Sequence, residues 1–452
     1  MPQRGRVARF HAVLRRFRLA VEARRRIFFQ NGITANVKYI HLARMRLRER
    51  LRALKTSAFG QRPLDIAARY AFLRREPIGS AEAAAGAAPR SINWIVPPFP
   101  FGAGGHLNIF RFVHLLELRG FECRIVMNCG SWFGTADEVR ASICASFVPI
   151  EAPVYIGIET APPSVYVVAT GWQTAYLAAR FAATRHRCYF VQDYEPWFYP
   201  MGTDYVLAEE TYRLGLTGIT DGDWLRDKLN TEYGMETHSI GCSFDRRIYF
   251  PGSKKPARTT KKVFFYARPT TERRAFELGV LILAEVKKRM EDVEIVLAGS
   301  RLDGYVLPFD YTAKGIIHPD LLGELYRDCD LALVLSFTNL SLAPLELMAC
   351  GVPVISNRGP NNEWLLSDNF CCLVRPRVPE VTEAICRLLS NDAERNALAQ
   401  AGLHQAQATS WDTEADKLAS IFELLATRAP SEAGLHAHRR SFDRLGPQGP
   451  HA

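Results

Sequence analysis

The sequence lacks a long apolar run and a CxxC pair. No window reaches the roughly 18 consecutive apolar residues that a membrane-spanning helix needs, and the basic N-terminus has no apolar signal-peptide core. The 10 cysteines are scattered, several of them inside apolar stretches. Neither a zinc knuckle nor a disulfide framework is therefore indicated. These absences predict a cytoplasmic protein that is neither secreted nor integral to a membrane.

Length and composition indicate a globular protein of more than one domain. The 452 residues exceed the roughly 250–300 at which a single hydrophobic core stops growing. Hydrophobic residues make up 48% and aromatic residues 11% of the chain, which is enough apolar surface for sizeable cores. The composition excludes a chain that is disordered throughout.

Positive charge is concentrated near the N-terminus. Residues 1–76 carry 20 Lys and Arg against four acidic residues, whereas the net charge of the whole chain is only +10. Apolar residues recur among these arginines at roughly helical spacing, which predicts a basic helical extension with a linker over residues 1–88. Three interpretations stay open: contact with an anionic membrane at the inner face of the cell membrane, a helical hairpin packed on the protein, and nucleic-acid binding. No nucleic-acid-reading motif supports the third, so nucleic acid is not an expected partner.

Short β-branched or aromatic runs alternate with helical patterns between residues 89 and 427. This alternation predicts parallel sheets with crossover helices, an α/β fold. A Pro-, Gly- and Lys-rich break near residue 252 predicts two Rossmann-like domains that face each other across a cleft, at 89–252 and 253–427. Residues 428–452 have no periodicity and predict a disordered tail. The eight predicted strands are INWIV (92–96), CRIVM (123–127), VYVVA (165–169), CYFVQ (188–192), VFFYA (263–267), VEIVLAG (293–299), LALVL (331–335) and VPVIS (352–356).

Glycines and arginines follow two of these strands. Gly104 and Gly105 precede a helical pattern and could let a ligand approach backbone N–H groups, although a purely structural turn explains them equally well. Arg268 ends a strand, and Arg273 and Arg274 are predicted to begin a helix, where they would favour an anion. A solvated charge cluster is the alternative.

The stretch SLAPLELMACGVPVISN, residues 341–357, is predicted to form a turn, a helix and a strand. Pro344 is expected in the first helical turn and Gly351 just after the helix. Glu346 then lies on a helix that begins at the carboxyl edge of a parallel sheet.

This region resembles the nucleotide-sugar glycosyltransferases of the GT-B fold. LELMACGVPVIS matches their Glu-Ala-Met-Ala-x-Gly-x-Pro-Val segment. Four other stretches agree with further family segments and occur in the same order along the chain: the GGHLNIFRFVHLLELRGFEC loop and helix, IGCSFDRRIYFP, ARPTTERR and RGPNNEW. The resemblance spans roughly residues 92–425. It implies GT-B architecture, a nucleotide-sugar donor and no metal ion or other cofactor.

The resemblance also implies roles for individual residues. Glu346 would accept hydrogen bonds from sugar hydroxyls of the donor nucleotide, and Arg268 and Arg273 would hold its diphosphate. The wider donor site would include Thr338, Asn339, Leu340, Ser341, Leu342, Gly104, Gly105 and Glu363.

One departure from the family pattern lies eight residues before Glu346. The family usually has a glutamate there, and this chain has Thr338. Threonine offers a hydroxyl but no charge, which suits a donor with a different hydroxyl pattern, such as a 6-deoxy sugar. With VQDYEPWFYP and FFYARPTTERRAFELG, the chain is most similar to WsaF-type rhamnosyltransferases. The resemblance then implies retaining transfer of L-rhamnose from dTDP-β-L-rhamnose to a surface polysaccharide or lipid-linked glycan.

QDYEPWFYP, residues 192–200, combines carboxylates with aromatic rings, a common arrangement for binding sugars. Asp193 and Glu195 are candidates for acceptor binding or transition-state stabilisation. A loop folded on its own aromatic residues is the alternative. Retaining members of the fold are thought to react on one face of the sugar, so neither carboxylate is assigned as a covalent nucleophile.

Two Asp-x-Asp pairs have the spacing that some glycosyltransferases use for manganese. They are Asp221 with Asp223 and Asp328 with Asp330. Structural roles are favoured, because Asp330 precedes an apolar strand and Asp221 is a plausible helix N-cap.

Besides a glycosyltransferase, the sequence leaves open a sugar-nucleotide epimerase or glycoside phosphorylase on the same fold, and a non-catalytic membrane- or nucleic-acid-binding scaffold.

Overall fold

The computed structural model describes residues 65–99, 103–128, 135–252 and 260–429. The predictions of basic helices before residue 65 and of a disordered tail from residue 430 lie outside the described residues. Both sheets belong to one compact unit; helix α1 (Ile66–Arg69) and residues Ala141–Ser146 belong to another. Among the described residues, no helix has both the length and the apolar character needed to cross a bilayer.

The first sheet has seven strands, all paired in parallel, in the order β3-β2-β1-β4-β5-β6-β7. Every residue of β1 and β4 is buried, as expected for a parallel sheet covered on both faces. The strands are β1 (Ser91–Val96), β2 (Glu122–Met127), β3 (Val154–Ile156), β4 (Ser164–Ala169), β5 (Thr184–Val191), β6 (Thr217–Asp221) and β7 (Thr237–Ile240).

The second sheet has six parallel strands in the order β10-β9-β8-β11-β12-β13. Its central strands are again buried apolar runs. The strands are β8 (Lys261–Tyr266), β9 (Val293–Ala298), β10 (Tyr311–Gly315), β11 (Leu331–Val334), β12 (Val354–Asn357) and β13 (Cys372–Val374).

Helices cover both sheets, which confirms the predicted α/β class with two doubly wound units. Gly351 has φ +74° just after its helix, as its predicted capping position requires. After α1 the helices are α2 (Gly104–Glu117), α3 (Ala136–Ser146), α4 (Trp172–Arg180), α5 (Thr203–Glu210), α6 (Asp223–Tyr233), α7 (Phe276–Arg289), α8 (Pro319–Arg327), α9 (Ala343–Ala349), α10 (Pro360–Glu363), α11 (Val378–Ser390), α12 (Asp392–Gln407) and α13 (Trp411–Ala426).

The last helix, α13, returns to the first sheet after the chain has completed the second. The hydroxyl of Tyr166 on β4 donates a hydrogen bond of 2.5 Å to the carbonyl of Phe422, whose ring also packs against Trp94. At the surface, Arg119 pairs with Asp416 at 2.7 Å. The predicted interval 253–427 therefore includes a helix that packs with the first sheet, and the domain limits themselves stay predictions.

Candidate functional site

The carboxyl ends of β5 and β11 meet in the structure. Asp193 follows β5, and residues 336–341, here called the 336–341 turn, follow β11. The Thr338 hydroxyl donates to Asp193 Oδ2 at 2.8 Å, and the Asn339 backbone N–H donates to Oδ1 at 2.7 Å. The Asn339 side-chain amide donates to the carbonyls of Gln192 at 2.9 Å and Asp221 at 2.8 Å. The turn is thus bonded directly to the first sheet.

These contacts give a structural reason for threonine at position 338. Thr338 is buried and its hydroxyl is within hydrogen-bond distance of the Asp193 carboxylate. A glutamate at this position would bring a second carboxylate to Asp193, and two like charges at such a distance disfavour joint ionisation. Thr338 and Asn339 were predicted to contact the donor, but here both side chains are bonded to the first sheet. Their role towards a donor stays a prediction.

Arg273 and Arg274 lie just before α7 rather than at its start. They occupy a 3₁₀ turn, Glu272–Arg274, and the helix begins at Phe276 after Ala275, which has φ +47°. The expectation that they begin the helix was therefore wrong. A left-handed alanine is costly and persists only where surrounding contacts impose it. The two arginines just before it contact the 336–341 turn and Asp193.

Arg274 was predicted only as part of a cation cluster, and the structure gives it a more specific role. Its guanidinium donates to the hydroxyl of Ser336 and to the carbonyl of Asn339, the latter at 3.3 Å. Burial lowers the pKa of Arg274 to about 10, so it stays charged at neutral pH. It holds the 336–341 turn in place, and the only sequence signal for it is its position beside Arg273.

Arg273 is placed beside the first sheet. Its Nε lies 3.6 Å from Asp193 Oδ2, and its guanidinium lies 4.0 Å from the centre of the Phe198 ring. Burial lowers the pKa of Arg273; Asp193 raises it, and the neighbouring charge of Arg268 lowers it further. Arg268 donates to the Tyr266 hydroxyl at 3.0 Å. The two predicted phosphate-binding cations therefore lie close together at the strand ends.

Asp193 is buried between these groups. Burial raises its pKa, while Arg274 and Arg273 oppose the shift. It also accepts a hydrogen bond from the Tyr194 backbone N–H at 2.8 Å. The Asp193 carboxylate thus connects the end of β5 with the 336–341 turn after β11 and with Arg273. The QDYEPWFYP motif alone did not reveal that Asp193 positions these groups.

Glu195 has both carboxylate oxygens engaged inside the first domain. It accepts hydrogen bonds from the Trp172 backbone N–H at 2.9 Å, at the start of α4, and from the Tyr189 hydroxyl at 2.5 Å. Burial raises its pKa to about 7. This geometry supports a structural role in fixing the 3₁₀ turn Glu195–Phe198, and the predicted role towards substrate stays a prediction.

Glu346 lies on α9 as predicted. Burial of its carboxyl group raises the pKa to about 7, against hydrogen bonds from Tyr249 and Tyr326 and the nearby charge of Arg111. Arg111 comes from α2 of the first domain, bonds Asn108 at 3.1 Å and lies over the Trp411 ring at 4.4 Å. Arg111 is a further candidate that sequence reasoning missed, because no motif marks it.

The remaining predicted donor-site residues lie around the same edge. Gly104 begins α2 and Gly105 follows it, and both are exposed. A Cβ added at Gly105 would lie 3.5 Å from the side-chain amide nitrogen of Gln192. Leu340 and Leu342 pack in the core under the turn, and Ser341 Oγ is buried with no hydrogen-bond partner in the described part of the chain. Glu363, on α10, pairs with Arg358 at 3.0 Å.

The Asp-x-Asp pairs make local contacts. Asp223 pairs with Arg226 at 2.7 Å, Asp328 pairs with Lys262 at 2.8 Å, and Asp330 accepts from the Lys262 backbone N–H at 2.8 Å. Asp221 ends β6 and is not an N-cap, since Gly222 takes that position before α6. Within the described ranges, no group of three or more His, Cys, Asp or Glu is placed to bind a metal ion.

Two solved structures illustrate how widely this architecture is shared. Sucrose-phosphate synthase from Thermosynechococcus elongatus matches with a TM-score of 0.58 and 14% identity, over 75% of this chain and 99% of that chain. Anabaena HepE in complex with UDP and glucose matches with a TM-score of 0.59 and 15% identity, over 74% and 99%. At these identities the likeness shows the fold alone.

A curated relative and two family models narrow the assignment. The O-antigen biosynthesis protein RfbC of Myxococcus xanthus is 34% identical over 393 residues, which are 84% of this chain but only 30% of RfbC. The models of the WsaF N-terminal and C-terminal domains match residues 157–220 and 261–386. The two model matches together cover less than half of the chain, and they show that it is similar to the WsaF type of GT-B glycosyltransferases.

The two WsaF matches coincide with the two sides of the candidate site. The N-terminal WsaF match includes Asp193 and Glu195, and the C-terminal match includes Arg273, Thr338 and Glu346. Gly104 and Gly105 lie outside both matches. The contacts between the ends of β5 and β11 therefore join the two segments that the WsaF models match.

Replacing Glu346 with glutamine tests its assignment to the donor. We expect a donor KM about 10- to 100-fold higher, because a charged hydrogen bond contributes about 1.5–3 kcal/mol, with an unchanged melting temperature. Since the pKa of Glu346 is about 7, the donor KM of the parent should rise as the pH falls below 7, and that of the variant should not. Equal donor KM and kcat in the two proteins would refute the role.

Asp221 gives a pH-dependent stability prediction. Its Oδ1 is buried without a partner in the described residues, and burial, with the charges of Asp193 and Glu414, raises its pKa to about 8. The folded protein binds this proton more tightly than the unfolded chain, so stability is lost as the pH rises from about 4 to 8. Asp221→Asn should therefore raise the melting temperature at pH 8 and have little effect at pH 4. An equal shift at both pH values would contradict the assignment.

Proposed function

We propose that this chain is a retaining glycosyltransferase that moves L-rhamnose from dTDP-β-L-rhamnose onto a growing surface polysaccharide or lipid-linked glycan. The observation that carries the proposal is the placement of Arg268 and Arg273 at the strand ends of the second sheet. The matches to the two WsaF domain models and the O-antigen biosynthesis name of RfbC support it. The complex of HepE with UDP and glucose supports a nucleotide-sugar donor on this fold.

The chemistry follows from the charges at the site. As the bond between sugar C1 and the phosphate oxygen breaks, negative charge grows on the diphosphate, and a preorganised arginine stabilises that charge better than water does. The acceptor oxygen forms the new bond to C1 on the same face, and its proton passes to the departing phosphate oxygen. The configuration at C1 is thereby retained. Asp193 and Arg274 act on this step by positioning Arg273 and the 336–341 turn.

A panel of nucleotide sugars tests the donor. The protein is incubated with a rhamnose-containing glycan and either dTDP-β-L-rhamnose, dTDP-glucose, UDP-glucose or UDP-N-acetylglucosamine, and release of the nucleotide diphosphate is measured. We expect the highest kcat/KM with dTDP-β-L-rhamnose. A preference for a UDP sugar would overturn the donor assignment. Interconversion of sugar nucleotides without diphosphate release would indicate an epimerase, and no turnover of any donor would favour a binding scaffold.

A further inference from the structure

The 3₁₀ turn Glu195–Phe198 presents an indole ring to solvent. Trp197 is 42% exposed, whereas Tyr194, against which it packs, is only 2% exposed. Its ring packs edge-on against Tyr194 at 4.9 Å and lies 5.8 Å from the ring of Trp224. One side of the indole is thus supported by the protein while part of its surface stays free.

Several side chains hold the turn that carries Trp197 or pack against its ring. Glu195, two residues earlier, has both carboxylate oxygens bonded inside the domain. Lys228 Nζ lies 5.1 Å from the Trp197 ring centre and 4.5 Å from that of Tyr194, and it pairs with Glu232 at 2.6 Å. Lys228 therefore covers part of one face of the indole, and the rings of Tyr194 and Trp224 pack beside it.

The same turn reaches the candidate site through its next residue. The ring of Phe198 lies 4.0 Å from the guanidinium carbon of Arg273, the cation assigned to the diphosphate. Trp197 is therefore adjacent in sequence to a residue whose ring packs on Arg273, the cation proposed to hold the diphosphate. Because the Trp197 ring is partly exposed to solvent, packing in the hydrophobic core does not by itself explain a tryptophan at this position.

We propose that Trp197 is the floor of the acceptor subsite and stacks against the apolar face of an acceptor sugar ring. A sugar ring has C–H bonds on its faces and hydroxyls around its edge, and it matches an indole with a polar border. Lys228, which lies over part of the indole and pairs with Glu232, places charged groups near it for the sugar hydroxyls. The inference rests on the proposed glycosyl transfer, and it adds the place and the chemical class of the acceptor.

The test compares Trp197→Ala with Tyr305→Ala. Tyr305 is a matched control, because it is also 42% exposed and packs edge-on against one ring, that of Phe276 at the start of α7. With p-nitrophenyl α-L-rhamnopyranoside as acceptor, Trp197→Ala should raise the acceptor KM roughly tenfold or more. The donor KM and the slow hydrolysis of donor by water should stay unchanged, and Trp197→Phe should recover most of the loss. An unchanged acceptor KM in Trp197→Ala would overturn the proposal.

A binding measurement keeps this test separate from the proposed reaction. Saturation-transfer NMR of the same glycoside needs no turnover, so it reports on the subsite even if the donor assignment fails. We expect signal with the parent and with Tyr305→Ala, and a clear loss with Trp197→Ala. Equal signal from Trp197→Ala, or no signal from the parent at tens of millimolar glycoside, would reject the subsite.

Discussion

Replacing Arg273 with alanine should lower kcat by on the order of 10²-fold, by analogy with removing one preorganised stabiliser of transition-state charge. Arg273 lies at the strand ends beside Arg268, and both were assigned to the diphosphate. The loss should fall mainly on kcat, because charge on the diphosphate grows as the glycosidic bond breaks. Arg268→Ala should show a loss of similar size. Steady-state kinetics with saturating donor measure both.

Two controls separate this account from its alternatives. Arg273→Lys keeps a positive charge but loses the planar, bidentate guanidinium, so it should recover only part of the activity. A chelator should leave transfer unchanged, because the arginines supply the positive charge. If EDTA abolishes transfer and manganese restores it, the role assigned to the arginines is wrong and the Asp-x-Asp pairs must be reconsidered.

Asp193→Ala should have the largest effect on both stability and activity. The carboxylate accepts hydrogen bonds from Thr338 and from the backbone N–H groups of Asn339 and Tyr194, and it pairs with Arg273. Breaking a buried charge pair by removing one partner costs about 3–5 kcal/mol. The variant should therefore melt several degrees lower, and its kcat should fall at least as far as that of Arg273→Ala. Thermal unfolding and initial rates measure the two effects.

Thr338→Val is the matched control for Asp193→Ala. It removes one hydroxyl donor to the same carboxylate and keeps the shape of the side chain, so it should cost only about 1 kcal/mol. A melting temperature of Asp193→Ala equal to that of the parent would show that the contact between the two sheets is unimportant for stability. Normal kcat in a destabilised Asp193→Ala would remove its positioning role.

Much of the fold followed from local sequence patterns. Each of the eight predicted apolar runs overlaps a strand, because buried parallel strands are continuous β-branched stretches such as VYVVA. The strands that were not predicted are short or polar: VYI, TGITD, THSI, YTAKG and CLV. Their strand character comes from pairing with a neighbouring strand, which no local pattern encodes.

The candidate site was predictable only in part. Arg273 and Glu346 could be located because each lies in a recognisable strand–turn–helix segment. The bonds from Asn339 to Asp193 could not, since these residues are 146 positions apart and belong to different sheets. The same holds for Arg111, which acts on Glu346 only through the arrangement of α2 and α9. Sequence patterns identify which polar or charged residues follow a strand. Which residues of the other sheet they bond to depends on how the two sheets pack together.

The configuration of the transferred sugar tests the central claim most directly. The protein is incubated with dTDP-β-L-rhamnose labelled with ¹³C at C1 and a rhamnose-containing glycan, and the one-bond C–H coupling at the anomeric carbon of the product is measured by NMR. The account predicts a new β-L-rhamnosidic bond and one dTDP released per bond formed. An α-L-rhamnosidic product, or release of dTDP with free rhamnose alone, would contradict it.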